Sequence, residues 1–119
     1  MASTARICFN DYDREIALVF ERQTPGSPEH EILGVARLSK VFGTHEAEFA
    51  IIVADKWHNQ GLGAELTRRI IEVARAEQID LLRAVILPEN REMLRLAEKF
   101  GFEIARSQDG EVIAELRLD

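Results

Sequence analysis

Two apolar segments separated by turn residues are the first clear feature in the hydrophobic pattern of this chain. EIALVFERQ (15–23) and HEILGVARLSK (30–40) are rich in β-branched and other apolar residues, and TPGSPE lies between them. This composition predicts an antiparallel hairpin. A turn at Gly43 and Thr44 is followed by EAEFAIIVA (46–54), whose continuous apolar run predicts a third strand covered on both faces.

The apolar period changes to that of a helix in the next segment. Leu62, Leu66, Ile70 and Val73 recur at intervals of three or four residues, so one side of the segment is apolar. This spacing predicts an amphipathic helix that extends to about residue 77.

The last third of the chain alternates between strand and helix signals. LLRAVILP (81–88) predicts a buried strand, and NREMLRLAEKFG (90–101) predicts a short helix with Asn90 as N-cap and Gly101 as its C-terminal stop. FEIARS and VIAELRL on either side of QDGE predict a final antiparallel pair. The predicted order is β-β-β-α-β-α-β-β, which indicates an α+β domain with a mixed, mostly antiparallel sheet.

Composition and charge narrow the class of protein. With 119 residues, 46% of them hydrophobic, the chain is expected to form a single domain over 1–119. Its only cysteine, Cys8, excludes an intrachain disulfide and a paired-cysteine metal site, so we expect no metal. A formal net charge of -6 disfavours nucleic-acid binding, and no apolar run approaches the ~18 residues of a membrane span. We therefore expect a cytoplasmic protein that binds neither nucleic acid nor membrane.

A two-glycine turn, WHNQGLGAEL (57–66), carries the main chemical signal. A phosphate-binding P-loop would need Lys-Ser or Lys-Thr where Ala64 and Glu65 stand, and a dinucleotide fingerprint would need glycine where Leu66 stands. Two interpretations remain open on the residues alone. The turn either presents backbone N–H groups at a helix N-terminus to an anionic ligand, or uses its glycines for turn geometry only.

Two motifs then indicate a family. VADKWHNQGLGA (53–64) resembles the acetyl-CoA signature of the GCN5-related N-acetyltransferases (GNAT), in which Gln/Arg-x-x-Gly-x-Gly/Ala follows the fourth strand. NREMLRLAEKFGFE (90–103) resembles the helix and strand that come later in that family. The N-terminal segments CFNDYDREIALV, GVARLS and EAEFAIIV are similar to the acetyltransferase domain of bacterial Pat-type protein lysine acetyltransferases, which are fused to an acyl-CoA synthetase.

The resemblance implies an enzyme that moves acetyl from acetyl-CoA, its acyl donor, to an amine. A protein lysine is the favoured acceptor and a small amine the other, with direct transfer in a ternary complex. The alternative is a catalytically weak acyl-CoA sensor within a larger assembly.

The resemblance also implies which residues bind the donor. Backbone groups of Ile52, Val53 and Ala54 would hold the thioester and pantetheine, with the Val53 N–H polarising the thioester oxygen. Asn90 would face the pantetheine arm, unless it is simply a helix cap. The pyrophosphate would lie on the N–H groups of His58, Asn59, Gln60, Gly61, Leu62, Gly63 and Ala64, with added charge from Lys56, His58 or Arg68.

Three positions bear on catalysis. Glu48 is the expected general base, because family members often carry a glutamate there, and alternation along a strand would place Glu46 on the same face. His58 stands where the family usually has Gln or Arg. Ala97 stands where the family often has a tyrosine that protonates the leaving thiolate, and the only tyrosine here is Tyr12.

The start of the chain departs from the family as well. GNAT domains usually begin with a strand and two helices, and this chain is expected to lack them and to begin just before the second strand. The sheet face that those helices cover would then be apolar and exposed, which predicts a homo-oligomer.

Overall fold

The fold is an open sheet of seven strands in the order β1-β2-β3-β4-β5-β7-β6. A computed structural model describes residues 3–11, 14–23, 26, 28, 30–58 and 61–118, with side chains from residue 14 onward. The strands are β1 (Ser3–Asp11), β2 (Glu15–Gln23), β3 (His30–Lys40), β4 (Glu46–Val53), β5 (Leu81–Ile86), β6 (Glu103–Arg106) and β7 (Val112–Arg117). The helices are α1 (Leu62–Ala76) and α2 (Arg91–Lys99), and one turn of 3-10 helix covers Asp55–Trp57.

The predicted class and the predicted order from residue 15 onward are confirmed. β2, β3 and β4 form an antiparallel meander, with Ile16 opposite Leu38 and Leu38 opposite Phe49. β4 and β5 pair in parallel, and every other pair of neighbouring strands is antiparallel. The sheet is therefore mixed and mostly antiparallel, as expected for a GNAT domain.

The structure adds a strand that the sequence analysis did not predict. β1 pairs antiparallel with β2, so the expectation that the chain begins just before the second strand of the sheet is corrected. Ala5, Ile7 and Phe9 alternate with Thr4, Arg6 and Asn10, which is a strand pattern that the sequence analysis overlooked in this short segment. Only residues 12–14 connect β1 to β2, which leaves no room between them for the two helices that the family usually has.

The core lies between the sheet and the two helices. Leu66 and Ile70 of α1 are fully buried against Leu38 and Leu82 of the sheet, which confirms the predicted apolar stripe. Each helix shows its apolar face to the same side of the sheet. None of the helices in the described part of the chain is long and apolar enough to cross a membrane.

The opposite face of the sheet is exposed at β4 and β5, which corrects the prediction that the third predicted strand is covered on both sides. Along β4, Glu48, Ala50 and Ile52 point away from the helices, and Ile52 is 68% exposed. Val85 and Leu87 are also more than half exposed. An apolar run does not reveal whether a second layer exists, because that depends on the rest of the fold.

β4 and β5 separate after a short paired stretch. Their register covers only Glu46 to Glu48 against Leu81 to Arg83, although β4 continues to Val53. Beyond this point one edge of β4 has no neighbouring strand, and the gap forms the cleft described next.

Candidate functional site

A cleft of about 220 Å³ fills the gap between β4 and β5. Its walls are Phe49, Ala50 and Ile51 from β4, residues 84–87 from β5 and the turn after it, and Asn90 and Met93 beside α2. A smaller cavity of about 60 Å³ shares Ile51, Asn90 and Met93 with it and reaches Val53, His58 and Gly63. The two cavities form one groove from the middle of the sheet to the N-terminus of α1.

The backbone of β4 presents alternate residues to this groove. The Ala54 N–H donates to the Leu33 carbonyl of β3 at 2.9 Å, and the Ala54 carbonyl accepts from the Trp57 N–H at 2.8 Å. Because backbone groups alternate sides along a strand, the Ile52 N–H also faces β3, whereas the N–H groups of Ile51 and Val53 face the groove.

This alternation corrects part of the predicted donor site. The N–H groups of Ile52 and Ala54 face β3 and so are not directed at a ligand in the groove, whereas the role predicted for the Val53 N–H agrees with its direction and stays a prediction. Ile51 was missed, because only the hydrogen bond of Ala54 reveals which alternate residues face the groove.

The N-terminus of α1 offers backbone donors at the other end of the groove. Gly61 adopts a left-handed conformation with φ of 80° and gives the helix no side-chain cap. The first hydrogen bond within the helix runs from the Glu65 N–H to the Gly61 carbonyl. The N–H groups of Leu62, Gly63 and Ala64 come before this bond and have no acceptor within the helix. These donors and the helix dipole favour an anion. Asn59 and Gln60, which were predicted to share this role, lie outside the described residues.

The presence of glycine at positions 61 and 63 also has a purely structural explanation. The left-handed conformation at Gly61 favours glycine, and a Cβ on Gly63 would lie 3.0 Å from Leu96 Cδ1. The turn-geometry interpretation therefore explains the residue types. It gives no role to the backbone N–H groups of Leu62, Gly63 and Ala64, which have no acceptor within the helix.

Two of the cations expected to assist an anion are engaged by carboxylates. Lys56 forms an ion pair with Glu31, and the hydrogen bond from Lys56 is the main reason why the pKa of Glu31 is lowered. Arg68 contacts Glu65 at 2.6 Å and also pairs with Glu72, and hydrogen bonding to Glu65 raises the pKa of Arg68 above its usual range. Neither of these two cations is therefore free to pair with an anion, and the backbone donors of α1 remain.

His58 joins the end of β4 to the start of α2. Its Nε2 lies 2.8 Å from the Val53 carbonyl oxygen, and its Nδ1 lies 3.7 Å from Glu92 Oε2. Asp55 Oδ1 is 4.0 Å from Nε2. Because a carbonyl only accepts hydrogen bonds, Nε2 carries a hydrogen in this arrangement.

Asn90 caps α2, since its side-chain oxygen accepts from the Met93 N–H at 3.2 Å. The same residue lines both cavities. The cap interpretation is therefore confirmed, while contact with the pantetheine arm stays a prediction.

Glu48 lies at the closed end of the cleft, on the exposed face of β4 and in register with Arg83. Arg83 Nη2 donates to Glu115 at 2.7 Å and lies 3.8 Å from Glu46, and hydrogen bonding to Glu115 raises the pKa of Arg83. Within the described residues Glu48 forms no ion pair, so its carboxylate is the freer of the two candidate bases.

The spacing along β4 decides which N–H group can act with Glu48. Val53 lies about 17 Å from Glu48 along an extended strand, and Ile51 about 10 Å, at ~3.3 Å per residue. For a base at Glu48, the Ile51 N–H is therefore the nearer oxyanion donor of the two that face the groove, and the role predicted for the Val53 N–H stays a prediction.

The described residues that line the groove include no hydroxyl that could replace the family's tyrosine. Ala97 is fully buried, and among the described residues that line the two cavities only His58 and Glu92 are titratable. Tyr12 lies outside the described residues. Nor do the described His, Cys, Asp and Glu side chains form a group of three that could hold a metal ion.

Comparisons with known proteins agree with this architecture. Residues 2–103 match the family described as "Acetyltransferase (GNAT) domain". The L-amino acid N-acetyltransferase AaaT of Escherichia coli is 31% identical over 62 residues, which are 51% of this chain and 38% of that protein.

Solved structures match over most of the chain. The GNAT domain of S. lividans PAT has 27% sequence identity and a TM-score of 0.77, over 92% of this chain and 64% of that one. YncA from Salmonella typhimurium, solved with its cofactor acetyl-CoA, has 23% identity and a TM-score of 0.73, over 88% of this chain and 65% of that one, and shows the fold alone. This chain thus spans less than two thirds of each of these proteins. The chain belongs to the GNAT acetyltransferase family.

Proposed function

We propose that this protein transfers acetyl from acetyl-CoA to an amine. The observation that carries the proposal is the groove between β4 and β5, which leads from the free edge of β4 to the backbone donors of α1. The groove runs beside the backbone N–H and C=O groups on the free edge of β4, which suits the amides of an extended pantetheine arm. Membership of the GNAT family supports the same donor.

In this proposal the donor runs along the groove in one direction. Its pyrophosphate lies on the N–H groups of Leu62, Gly63 and Ala64, where the helix dipole favours negative charge. The pantetheine amides pair with Val53 and its neighbours as an added strand would, and the thioester reaches the Ile51 N–H. This places the acetyl group toward the end of the cleft where Glu48 lies.

The chemistry requires an unprotonated amine and a stabilised oxyanion. Glu48 accepts a proton from the acceptor ammonium through water, because its carboxylate is exposed beside the closed end of the cleft. The amine nitrogen then bonds to the thioester carbon, and the Ile51 N–H holds the oxygen as it becomes negative. Collapse of this intermediate breaks the carbon–sulfur bond, the nitrogen gives up its second proton to water, and the amide and the thiolate of coenzyme A remain.

For the acceptor, we propose a lysine on another protein. The face of the sheet beside Glu48 is open at Ile52 and Val85, so a large acceptor can approach the thioester without entering a closed pocket. The similarity to the S. lividans PAT domain over 92% of this chain supports this acceptor. The shorter match to AaaT, named an L-amino acid N-acetyltransferase, supports a small amine instead.

A second candidate function is an acyl-CoA sensor with little or no turnover. Ala97 supplies no hydroxyl at the family's tyrosine position, and Lys56 and Arg68 are engaged by carboxylates rather than free for a phosphate. These features would make catalysis slower and donor binding weaker than in a site with a tyrosine at this position and unpaired basic side chains.

One pair of measurements separates these functions. Calorimetric titration of the chain with acetyl-CoA tests donor binding, and release of free thiol is then followed with two acceptors. One acceptor is an Nα-acetylated peptide with a single lysine, and the other is a mixture of free L-amino acids. Thiol release with the peptide supports the lysine acceptor, release with amino acids alone selects a small amine, and binding without release selects the sensor. No acetyl-CoA binding would refute the proposed function.

A further inference from the structure

We propose that His58 is the acid that protonates the sulfur of coenzyme A as it leaves. This inference rests on the acetyl transfer proposed above, and it assigns a role to the side chain of a residue that was expected to contribute charge or a backbone N–H to the phosphates. The groove needs such a group, because Ala97 offers no proton and no hydroxyl is found among its described lining residues.

The position of His58 suits the leaving group. In an extended strand the N–H and C=O of one residue point to the same side, so the Val53 carbonyl faces the groove together with the Val53 N–H. His58 Nε2 is 2.8 Å from that carbonyl oxygen, and the ring lines the smaller cavity. In acetyl-CoA the sulfur lies between the thioester carbonyl and the pantetheine arm. With the carbonyl at Ile51 and the arm along Val53, the sulfur is therefore on the His58 side.

In this proposal a general base lies near one end of β4 and a general acid lies near the other end. Glu48 lies at the end of the cleft where β4 and β5 are still paired, and the amine approaches there from the exposed face of the sheet. His58 lies beyond the other end of β4. A base near the nucleophile and an acid near the leaving group is the arrangement that acyl transfer requires.

The neighbours of His58 determine which nitrogen gives up its proton. Nδ1 faces Glu92 Oε2 of α2 at 3.7 Å, and Nε2 faces the Val53 carbonyl. Asp55 of the 3-10 turn is 4.0 Å from Nε2, and the nearest acidic group on α1, Glu65, is held by Arg68 and Arg69. At 3.7 Å the contact with Glu92 is electrostatic rather than a hydrogen bond and favours a hydrogen at Nδ1, so in this proposal the hydrogen at Nε2 is the one delivered into the groove.

The step balances without a further reactant. The proposed step uses the form of the ring that carries a hydrogen on each nitrogen, and Nε2–H turns toward the sulfur when the pantetheine amide takes over the Val53 carbonyl. The carbon–sulfur bond breaks, its electron pair goes to sulfur, and the Nε2 proton passes to the thiolate to give the thiol. The neutral ring keeps its Nδ1 hydrogen beside Glu92 and regains a proton from water, since the His58 side chain is 45% exposed.

The test uses His58→Gln, because glutamine can still donate to the Val53 carbonyl but has no proton to transfer at neutral pH. His45→Gln is the matched control, since that ring is not among the residues that line either cavity. Acetyl-CoA affinity is measured by calorimetry. The turnover rate is measured by thiol release as a function of pH, with whichever of the two acceptors above the wild-type chain uses.

We expect His58→Gln to bind acetyl-CoA within about threefold of wild type and to turn over on the order of 10²-fold more slowly, at the low end for acid–base catalysis because a thiolate leaves readily. Wild-type kcat should fall as rising pH removes the imidazole proton, and the variant should lose this dependence while His45→Gln keeps it. An unchanged kcat, or a lowered kcat that retains the wild-type dependence at high pH, overturns the assignment. Tighter acetyl-CoA binding with undiminished kcat overturns it too, since the ring would then merely block the groove. If the wild type releases no thiol with either acceptor, the proposed function itself fails.

Discussion

The placement of the pyrophosphate on α1 predicts a large difference between two substitutions of nearly equal size. Ala64 is the third residue of the first turn of α1 and is half-buried. Ala64→Asp and Ala64→Asn add side chains of similar shape, but only the first adds a charge. If the pyrophosphate binds the N–H groups of this turn, the aspartate repels it and the asparagine does not.

The size of the effect follows from the geometry. A carboxylate in the first turn lies roughly 5 Å from an anion on the same N–H groups, and Coulomb's law at an effective dielectric constant of ~20 gives about 3 kcal/mol. Because the position is only half-buried, solvent screening reduces this to about 1.5–2 kcal/mol. We therefore expect Ala64→Asp to bind acetyl-CoA about 10- to 30-fold more weakly than Ala64→Asn.

Calorimetry on both variants measures this ratio, and thermal unfolding serves as the control for folding. Aspartate near a helix N-terminus interacts favourably with the dipole by about 0.3–1 kcal/mol, so Ala64→Asp should be at least as stable as Ala64→Asn. A loss of affinity therefore cannot arise from an unfolded helix. Equal affinities for the two variants would show that the phosphates bind elsewhere.

The remaining predictions concern the base, the exposed face and the response to acid. Glu48→Gln should lower kcat on the order of 10²-fold with little change in acetyl-CoA affinity, while the control Glu46→Gln should leave kcat near wild type. Equal rates of thiol release by the wild type and both variants would mean that another residue is the base. The homo-oligomer stays a prediction: Ile52→Lys should shift the chain toward monomer in analytical ultracentrifugation, and a wild-type monomer at micromolar concentration contradicts it. The pairing of Glu31 with Lys56 lowers the pKa of Glu31, so this pairing stabilises the fold at pH values above the pKa of a carboxyl group in the unfolded chain. The stabilisation is lost as the pH falls through the pKa of Glu31 in the folded state. Between about pH 6 and pH 3, urea unfolding should therefore show a smaller loss of stability for Glu31→Gln than for wild type, and equal losses would contradict this account.

The sequence pattern predicts the elements of this fold better than it predicts their surroundings. Leu62, Leu66 and Ile70 identified α1 because a helix with one buried face requires that spacing, and the structure places α1 within a residue of the predicted bounds. The apolar run at 49–53 identified β4 correctly as a strand. It could not show that one face of β4 is bare, because coverage depends on which side of the sheet both helices occupy.

The candidate site shows the same division. The glycine turn was visible in the residue types, but its role and the choice of Glu48 as base came from the resemblance to the GNAT family. The direction of each β4 backbone group could not, because it depends on the bond from Ala54 to Leu33, a residue of another strand. The contact between His58 and the Val53 carbonyl likewise depends on the path of the loop between them, and no spacing rule anticipates it.

The separation of β4 from β5 has a consequence for solvent exchange at backbone amides. Amides within a sheet normally exchange slowly with deuterium because each is held by a neighbouring strand. Along β4 the amides of Ile52 and Ala54 are directed at β3, whereas those of Ile51 and Val53 open into the groove. Protection should therefore alternate residue by residue along a single strand. A bound donor that pairs with the free edge would slow only the unprotected members of this series, so the exchange pattern would record the path of the ligand along β4.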